Sequence, residues 1–320
     1  MDRNLALEFV RVTEAAAIES AKWVGRGDKH KADGAAVYAM RNRFNQIDFC
    51  GTVVIGEGAK DEAPMLFTGE KVGQCATPKM DLAVDPLECT DSVAYGRYNA
   101  ISVIAAGKHN SLFHAPDTYM EKIATGKEAA GVIDIDAPVA TNIKKVARAL
   151  GKDVSEVTVI MLDRERHKDL INEVRTAGAR IRLITDGDVA AALATCIPES
   201  GIDLLIGIGG STEAVLAAVP IKILGGEIIC RFKPRNDHDI EEIKKTGISD
   251  LKQKFYINDL AKGNQLTFTA TGVIDGPILA GVVFKKDRII TQSVVIRGVS
   301  GTIRYLTTYH HYQHHKNSVK

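Results

Sequence analysis

The sequence predicts an α/β protein, and three observations carry that prediction. From about residue 140, hydrophobic runs and helical runs alternate with short connections, the mark of paired strands covered by helices. The chain opens on a long amphipathic helical pattern rather than on strands. Acids stand just past the ends of hydrophobic runs, where α/β proteins place their ligands.

The elements follow in order. Leu5, Phe9, Val12 and Ala16 recur at helical spacing with charges between them, and the helix should end near Gly25 and Gly27. A second helix is expected over about 35–47. Short runs bounded by Gly, Asp and Pro predict strands at 52–55, 82–84 and 101–105. VTVIML (157–162) precedes a helix at 166–176, ARIRLIT (179–185) one at 189–196, and DLLIGIG (203–209) one at 213–224, which implies parallel pairing. Late strands are expected at 266–270, 280–284 and 289–296. The charged segment 235–254 reads as a solvated helical face or an insertion. The tail HHYQHHKNSV, with four of the nine histidines, reads as a frayed end with no acid or cysteine nearby to complete a metal site. The change of rhythm divides the chain into an α+β domain over 1–140 and an α/β domain over 141–320.

Composition narrows the function. The 320 residues are 45% hydrophobic and 25% charged, which excludes a disordered chain. Lys and Arg number 41 against 40 Asp and Glu, too balanced for the basic face that a nucleic acid or a membrane surface requires. No apolar run reaches the roughly 18 residues that span a bilayer; the stretch 203–224 comes closest and is interrupted by Glu213, Pro220 and its glycines. Acids at Asp2, Glu8, Glu14 and Glu19 argue against a secretory signal. Five cysteines form no CxxC pair and are odd in number, so free thiols in a reducing cytoplasm are expected.

The chemistry concentrates in the acids. Glu57 follows TVVIG, Asp85 follows DLAV, Glu88 comes three residues later in DPLECT, Glu213 comes shortly after LLIGIGG, and Asp33 sits in GRGDKHKADG between the first two expected helices. Acids close together repel one another; a hard divalent cation removes that repulsion, and oxygen-only ligation suits Mg²⁺ or Mn²⁺. Any one of these acids would serve equally as a helix cap or turn residue. DPLECT differs, because an acid, a Pro-fixed turn, a second acid and a hydroxyl within six residues form a unit that capping does not require. Thr90 is placed to hold a metal-activated water in line with phosphorus, or else it caps a helix. Lys29, and Arg164 and Arg166 in LDRERH, are donors for phosphate. Asp186, Gly187 and Asp188 in ITDGDVA suit sugar hydroxyls. GIGGSTEA approaches a dinucleotide fingerprint, but Thr212 stands where the third glycine belongs. There is no P-loop, HExxH or GxSxG.

Taken together, RVTEAAAIESAKWVGRGDKHKADGAAVYAMR, VVIGEGAKDEAPMLFTGEKVG, DLAVDPLECTDSVAYGRYNAISVIA, APDTYMEKIATG, RLITDGDVAAAL, GIGGSTEAV and RGVSGTIR give a chain that resembles the class II fructose-1,6-bisphosphatases, some of which also act on sedoheptulose 1,7-bisphosphate. The resemblance implies a layered α-β-α-β-α sugar-phosphatase fold with metal and phosphate in the first domain and sugar in the second. It implies Mn²⁺ or Mg²⁺ on Asp33, Glu57, Asp85, Glu88 and Glu213, with Glu57, Asp85 and Thr90 catalytic. Substrate contacts are implied for Lys29, the turn Glu88–Cys89–Thr90, Tyr119, Arg164, Glu165, Arg166, Asp186, Gly187, Asp188 and Gly210. The implied partner is a small sugar bisphosphate, and the implied assembly a homo-oligomer of two or four copies. Three departures stand out. Ala59 replaces an acid of the family's GEGE, Cys89 replaces the glycine of DPLEGT, and Ser211, Thr212 and Ala214 replace Ala, Pro and Gly of APEG. These departures motivate an alternative, a binding or regulatory homologue with impaired turnover.

Overall fold

The computed structural model describes residues 5–58, 64–75 and 77–312. Ala59 and the tail histidines His314 and His315 lie outside the described residues. The chain forms two compact units. One joins the chain up to His109 with the chain from Gln265 onward, and the other is Asn110–Asn264.

In the first unit, α1 (Leu5–Ala21) and α2 (Lys29–Phe44) lead into β1 (Cys50–Ile55), β2 (Lys71–Val72), β3 (Lys79–Glu88), α3 (Thr90–Tyr95) and β4 (Ala100–Lys108). The second unit runs through β5 (Tyr119–Thr125), α4 (Val139–Leu150), β6 (Thr158–Leu162), α5 (Lys168–Thr176), β7 (Arg180–Ile184), α6 (Asp188–Ala194), β8 (Leu204–Gly210), α7 (Ser211–Leu224), β9 (Glu227–Phe232), α8 (Asp237–Lys245), β10 (Phe255–Tyr256) and α9 (Ile257–Leu260). The chain then returns to the first unit with β11 (Leu266–Ile274), β12 (Val283–Phe284), β13 (Arg288–Arg297) and β14 (Thr302–His311).

The first sheet has the order β12-β13-β11-β4-β3-β1-β2, with β14 on the remaining edge of β13. Its core is built on helix-to-sheet packing: α1 lies against α2 and against β3, β4, β11 and β13. Phe9 of α1, fully buried, meets Phe44 and Phe49 with ring centroids 6.2 and 5.5 Å away and rings near edge-on. Each such buried ring contributes about 2–3 kcal/mol by leaving water. The second sheet has the order β10-β9-β5-β8-β6-β7. Ile143 and Val146 of α4 and Ile171 and Val174 of α5 pack on Val159, Met161, Leu204 and Ile206. Alternate side chains of the same strands point the other way, to α6 and α7. The first unit is thus helix on sheet and the second is helices on both faces of a sheet, the α/β class that the sequence predicts.

The structure departs from the sequence reading in identifiable places. The boundary expected near 140 falls near 110, because β11 pairs with β4 from Leu266↔Gly107 onward and so carries the last strands back to the first unit. α2 begins at Lys29 rather than Ala35, because the Asp28 side chain accepts from the Lys31 N–H at 3.0 Å and caps it; Asp33 is therefore inside the helix rather than between helices. The run 82–84 is only the middle of β3, and of 280–284 only Val283–Phe284 is strand. The parallel pairing expected of the strands at 157–162, 179–185 and 203–209 holds, β6 running parallel to β7 and β8; β5, a strand not expected from the sequence, runs antiparallel to both β8 and β9. The tail begins as strand, since His310 and His311 pair with β13. Of the segment 235–254, Asp237–Lys245 is helix.

Candidate active site

The acids of the first unit are set by strand ends and one helix turn. Lys29 and Asp33 are one turn apart on α2 and share a face. Lys29 Nζ stands 3.2 Å from the Asp91 carboxylate, next to Thr90 in α3. Glu57 leaves β1 across Gly56, whose Cβ, if it had one, would stand 1.9 Å from the Leu66 carbonyl oxygen, and the Glu57 N–H donates to that same oxygen at 3.0 Å. Only glycine allows this approach. Asp85 and Glu88 are inside β3 rather than beyond it, because the strand bulges between them: Asp85 pairs with Val103 and Glu88 with Ile101. Pro86 has no N–H to give the ladder, and the Leu87 N–H turns to the Asp85 carboxylate at 3.1 Å. Glu88 is buried and Asp85 half-buried.

These acids feel one another. Burial pushes the Glu57 carboxyl up to about 8, and the nearby negative charges of Asp33 and Asp85 push in the same direction. Burial also raises Asp33, with His30 opposing it. Among the described residues no three acids converge on one ligand sphere. What fits a hard cation is the chemistry: buried oxygen donors that cannot all ionise beside one another unless positive charge joins them.

Cys89 takes φ 78° and ψ 51°, the left-handed conformation, at the entry to α3. The backbone there keeps the conformation suited to the glycine that Cys89 replaces, and Cys89 packs against the first unit's core.

In the second unit, Tyr119, Arg164, Arg166, Asp186, Asp188, Gly210 and Glu213 gather at one end of β5, β6, β7 and β8. Tyr119 pairs with Gly210. The Arg166 guanidinium lies 4.7 Å from the Tyr119 ring centroid and that of Arg235 lies 5.0 Å from it. Arg166 is oriented by the Ile208 carbonyl, to which Nε and Nη2 donate at 3.0 and 2.9 Å. Arg235 is oriented by a two-point pair with Asp239, at 2.8 and 3.0 Å, and by the Asp117 carbonyl at 3.0 Å. The hydrogen bonds from Arg235 hold the Asp239 carboxyl well below the usual carboxylate range. Arg164 pairs with Asp186. Glu165 does not join this group: it is 90% exposed and faces Lys168 at 3.6 Å.

Beneath these residues lies Lys122, 3% exposed, donating to Asp188 at 2.7 Å. Burial works against its charge, but the Asp188 and Glu213 carboxylates more than offset that and hold the ammonium. The glycines of GIGG make room for this arrangement. A Cβ on Gly209 would stand 1.7 Å from an Asp188 carboxylate oxygen, and one on Gly210 would stand 1.8 Å from a Glu213 oxygen. The substituted residues beyond them are absorbed by hydrogen bonds. Ser211 Oγ accepts from the Thr118 N–H at 3.1 Å, and the Thr212 hydroxyl donates to Glu213 at 2.8 Å.

Sequence reasoning missed Arg235 and Lys122. Arg235 opens a charged stretch that reads as solvated surface. Lys122 carried a usable signal, a lone cation inside the apolar run YMEKIAT.

Comparison with known proteins places the chain in a family. A family model described as bacterial fructose-1,6-bisphosphatase, glpX-encoded, matches residues 3–310. A fructose-1,6-bisphosphatase class 2 of Haemophilus influenzae is 43% identical over 97% of each chain. The fructose-1,6-bisphosphatase 1 class 2 of Escherichia coli is 45% identical, covering 97% of this chain and 96% of its own. With matches that span both units, the acid-bearing one and the arginine-bearing one, the chain belongs to the glpX-encoded bacterial fructose-1,6-bisphosphatase family.

Proposed function

We propose that this chain hydrolyses the 1-phosphate of fructose 1,6-bisphosphate, giving fructose 6-phosphate and phosphate. The observation that carries the reading is the buried acid group around Glu57, in a chain of this family. Mn²⁺ or Mg²⁺ is the proposed cofactor, held by Asp33, Glu57, Asp85, Glu88 and Glu213. When bound it supplies positive charge for the phosphoryl oxygens and acidifies water.

The chain's own residues do the rest. The Thr90 hydroxyl orients the attacking water at the head of α3. Lys29 neutralises charge on the reacting phosphate. Arg166, Arg235 and Tyr119 grip the phosphate that does not react, with two guanidiniums already oriented by their carbonyl and carboxylate partners. Asp186 and Asp188 accept from sugar hydroxyls. The same reading places the enzyme in the cytoplasm as a homo-oligomer of two or four copies. β14 leaves Tyr305 and Tyr309 exposed for such contacts, and sedimentation analysis decides the number.

The left-handed Cys89 favours a second reading, a sugar-phosphate binder with weak turnover. Phosphate release from fructose 1,6-bisphosphate, sedoheptulose 1,7-bisphosphate and an inositol phosphate, measured side by side with Mn²⁺, tests both. Fastest release from the fructose ester supports the proposal. Tight binding of all three without release supports the binder.

A further inference from the structure

Cys50 opens β1, and Cys75 lies in the loop between β2 and β3. Both are free thiols, and their sulfurs stand 2.9 Å apart. A disulfide needs about 2.05 Å, so bonding requires less than about 1 Å of further approach. The backbone holds the two residues there. The Cys50 N–H donates to the Pro78 carbonyl at 3.0 Å, and the Gln74 N–H donates to the Ile47 carbonyl at 3.1 Å. Gly73, at φ 85°, lets the loop close on Phe49: a Cβ there would stand 2.4 Å from the Phe49 carbonyl oxygen. Cys75 is exposed and Cys50 is half-buried. The Cys50 thiol donates to the Cys75 sulfur.

We propose that Cys50 and Cys75 form a reversible oxidation site that closes to an intramolecular disulfide under a peroxide oxidant. The Cys75 thiolate attacks one peroxide oxygen, the O–O bond breaks, and the departing hydroxide takes a proton to leave as water. This gives a sulfenic acid on Cys75. The Cys50 sulfur then attacks the Cys75 sulfur; the S–O bond breaks, and hydroxide leaves as a second water with the Cys50 proton. Two thiols and one peroxide become one disulfide and two waters, two electrons having passed from the sulfurs to the peroxide oxygens. A dithiol reverses the step. The ring so closed spans residues 51–74 and contains Glu57.

The test treats the full-length reduced protein with one equivalent of hydrogen peroxide, then counts free thiols and maps peptides without reduction. The five thiols should fall to three, with Cys50 and Cys75 peptides linked in one species that dithiothreitol separates. Closing this loop should raise Tm by about 5 °C. Cys50→Ser and Cys75→Ser should each lose the linked species and the Tm rise. Five surviving thiols, a sulfinic acid on Cys75 without a link, a linkage between two chains through Cys75, or a link that lowers Tm would each overturn the proposal.

Discussion

Lys122 and Asp188 form an ion pair at 2.7 Å with the lysine 3% exposed, and Gly209 lacks the side chain that would displace the Asp188 carboxylate. The pair fixes the head of α6, where the residues proposed to meet the sugar begin. Removing the cation leaves the charges of Asp188 and Glu213 without its compensation. Lys122→Met should therefore lower stability by about 3–5 kcal/mol in urea unfolding. The double variant Lys122→Met with Asp188→Asn should recover part of that loss. A loss below about 1 kcal/mol would mean that water already compensates both acids.

Thr90 and Arg166 should separate in steady-state kinetics. Thr90→Ala acts on the attacking water and should chiefly lower kcat. Arg166→Ala removes a contact present in ground and transition states alike and should chiefly raise KM. Arg235→Gln should raise KM in the same sense by a smaller factor, because Asp239 already occupies one edge of its guanidinium. A Thr90→Ala variant that kept kcat and raised only KM would refute the water-orienting role.

Cys89→Gly should raise kcat by twofold or more with little change in KM. The left-handed backbone costs a residue with a Cβ about 1–2 kcal/mol. Glycine relieves that but regains about 0.5–1 kcal/mol of freedom in the unfolded chain, so stability moves little. The kinetic effect comes from clearing the Cβ and thiol beside Glu88 and Thr90. Equal kcat within about twofold, ~0.4 kcal/mol, would show that the turn tolerates cysteine.

Much of this was legible in the sequence, and the failures have physical causes. The strand-helix alternation of β6 to α7 shows because each helix covers the sheet and so keeps a clean period. β14 was missed because its outer face stays exposed, so Thr, Tyr and His replace the apolar alternation that marks a strand. The shifted start of α2 turned on one side-chain cap, Asp28, in a stretch whose glycines read as breakers. The acids of DPLECT stood out as a unit, but their place inside a bulged strand depended on pairing with β4, which no local pattern contains. Arg235 acquires its place beside Tyr119 only when β5 brings that ring to it.

His167 should give the fold a pH dependence. Its ring is buried and tied at both nitrogens, to the Leu162 carbonyl at 2.8 Å and to the Ile208 N–H at 2.8 Å. Burial lowers its affinity for a proton, and Arg166 adds to that, while the Leu162 carbonyl and Asp188 oppose it. Unfolded chains take up that proton near pH 6.5, and the folded chain does so only at lower pH. The unfolded state therefore binds more protons below pH 6.5, and stability falls as pH drops through that point. Tm measured between pH 7.5 and 5.5 should fall more steeply for wild type than for His167→Gln, which starts lower. Parallel curves would remove His167 as the cause.

The most direct test of the central claim is phosphate release from fructose 1,6-bisphosphate by one preparation, first stripped with EDTA and then resupplied with Mn²⁺, alongside Asp85→Ala. The stripped protein and the folded variant should be inactive, and Mn²⁺ should restore the wild type alone. Undiminished hydrolysis by the stripped protein, or full activity in Asp85→Ala, would contradict the account.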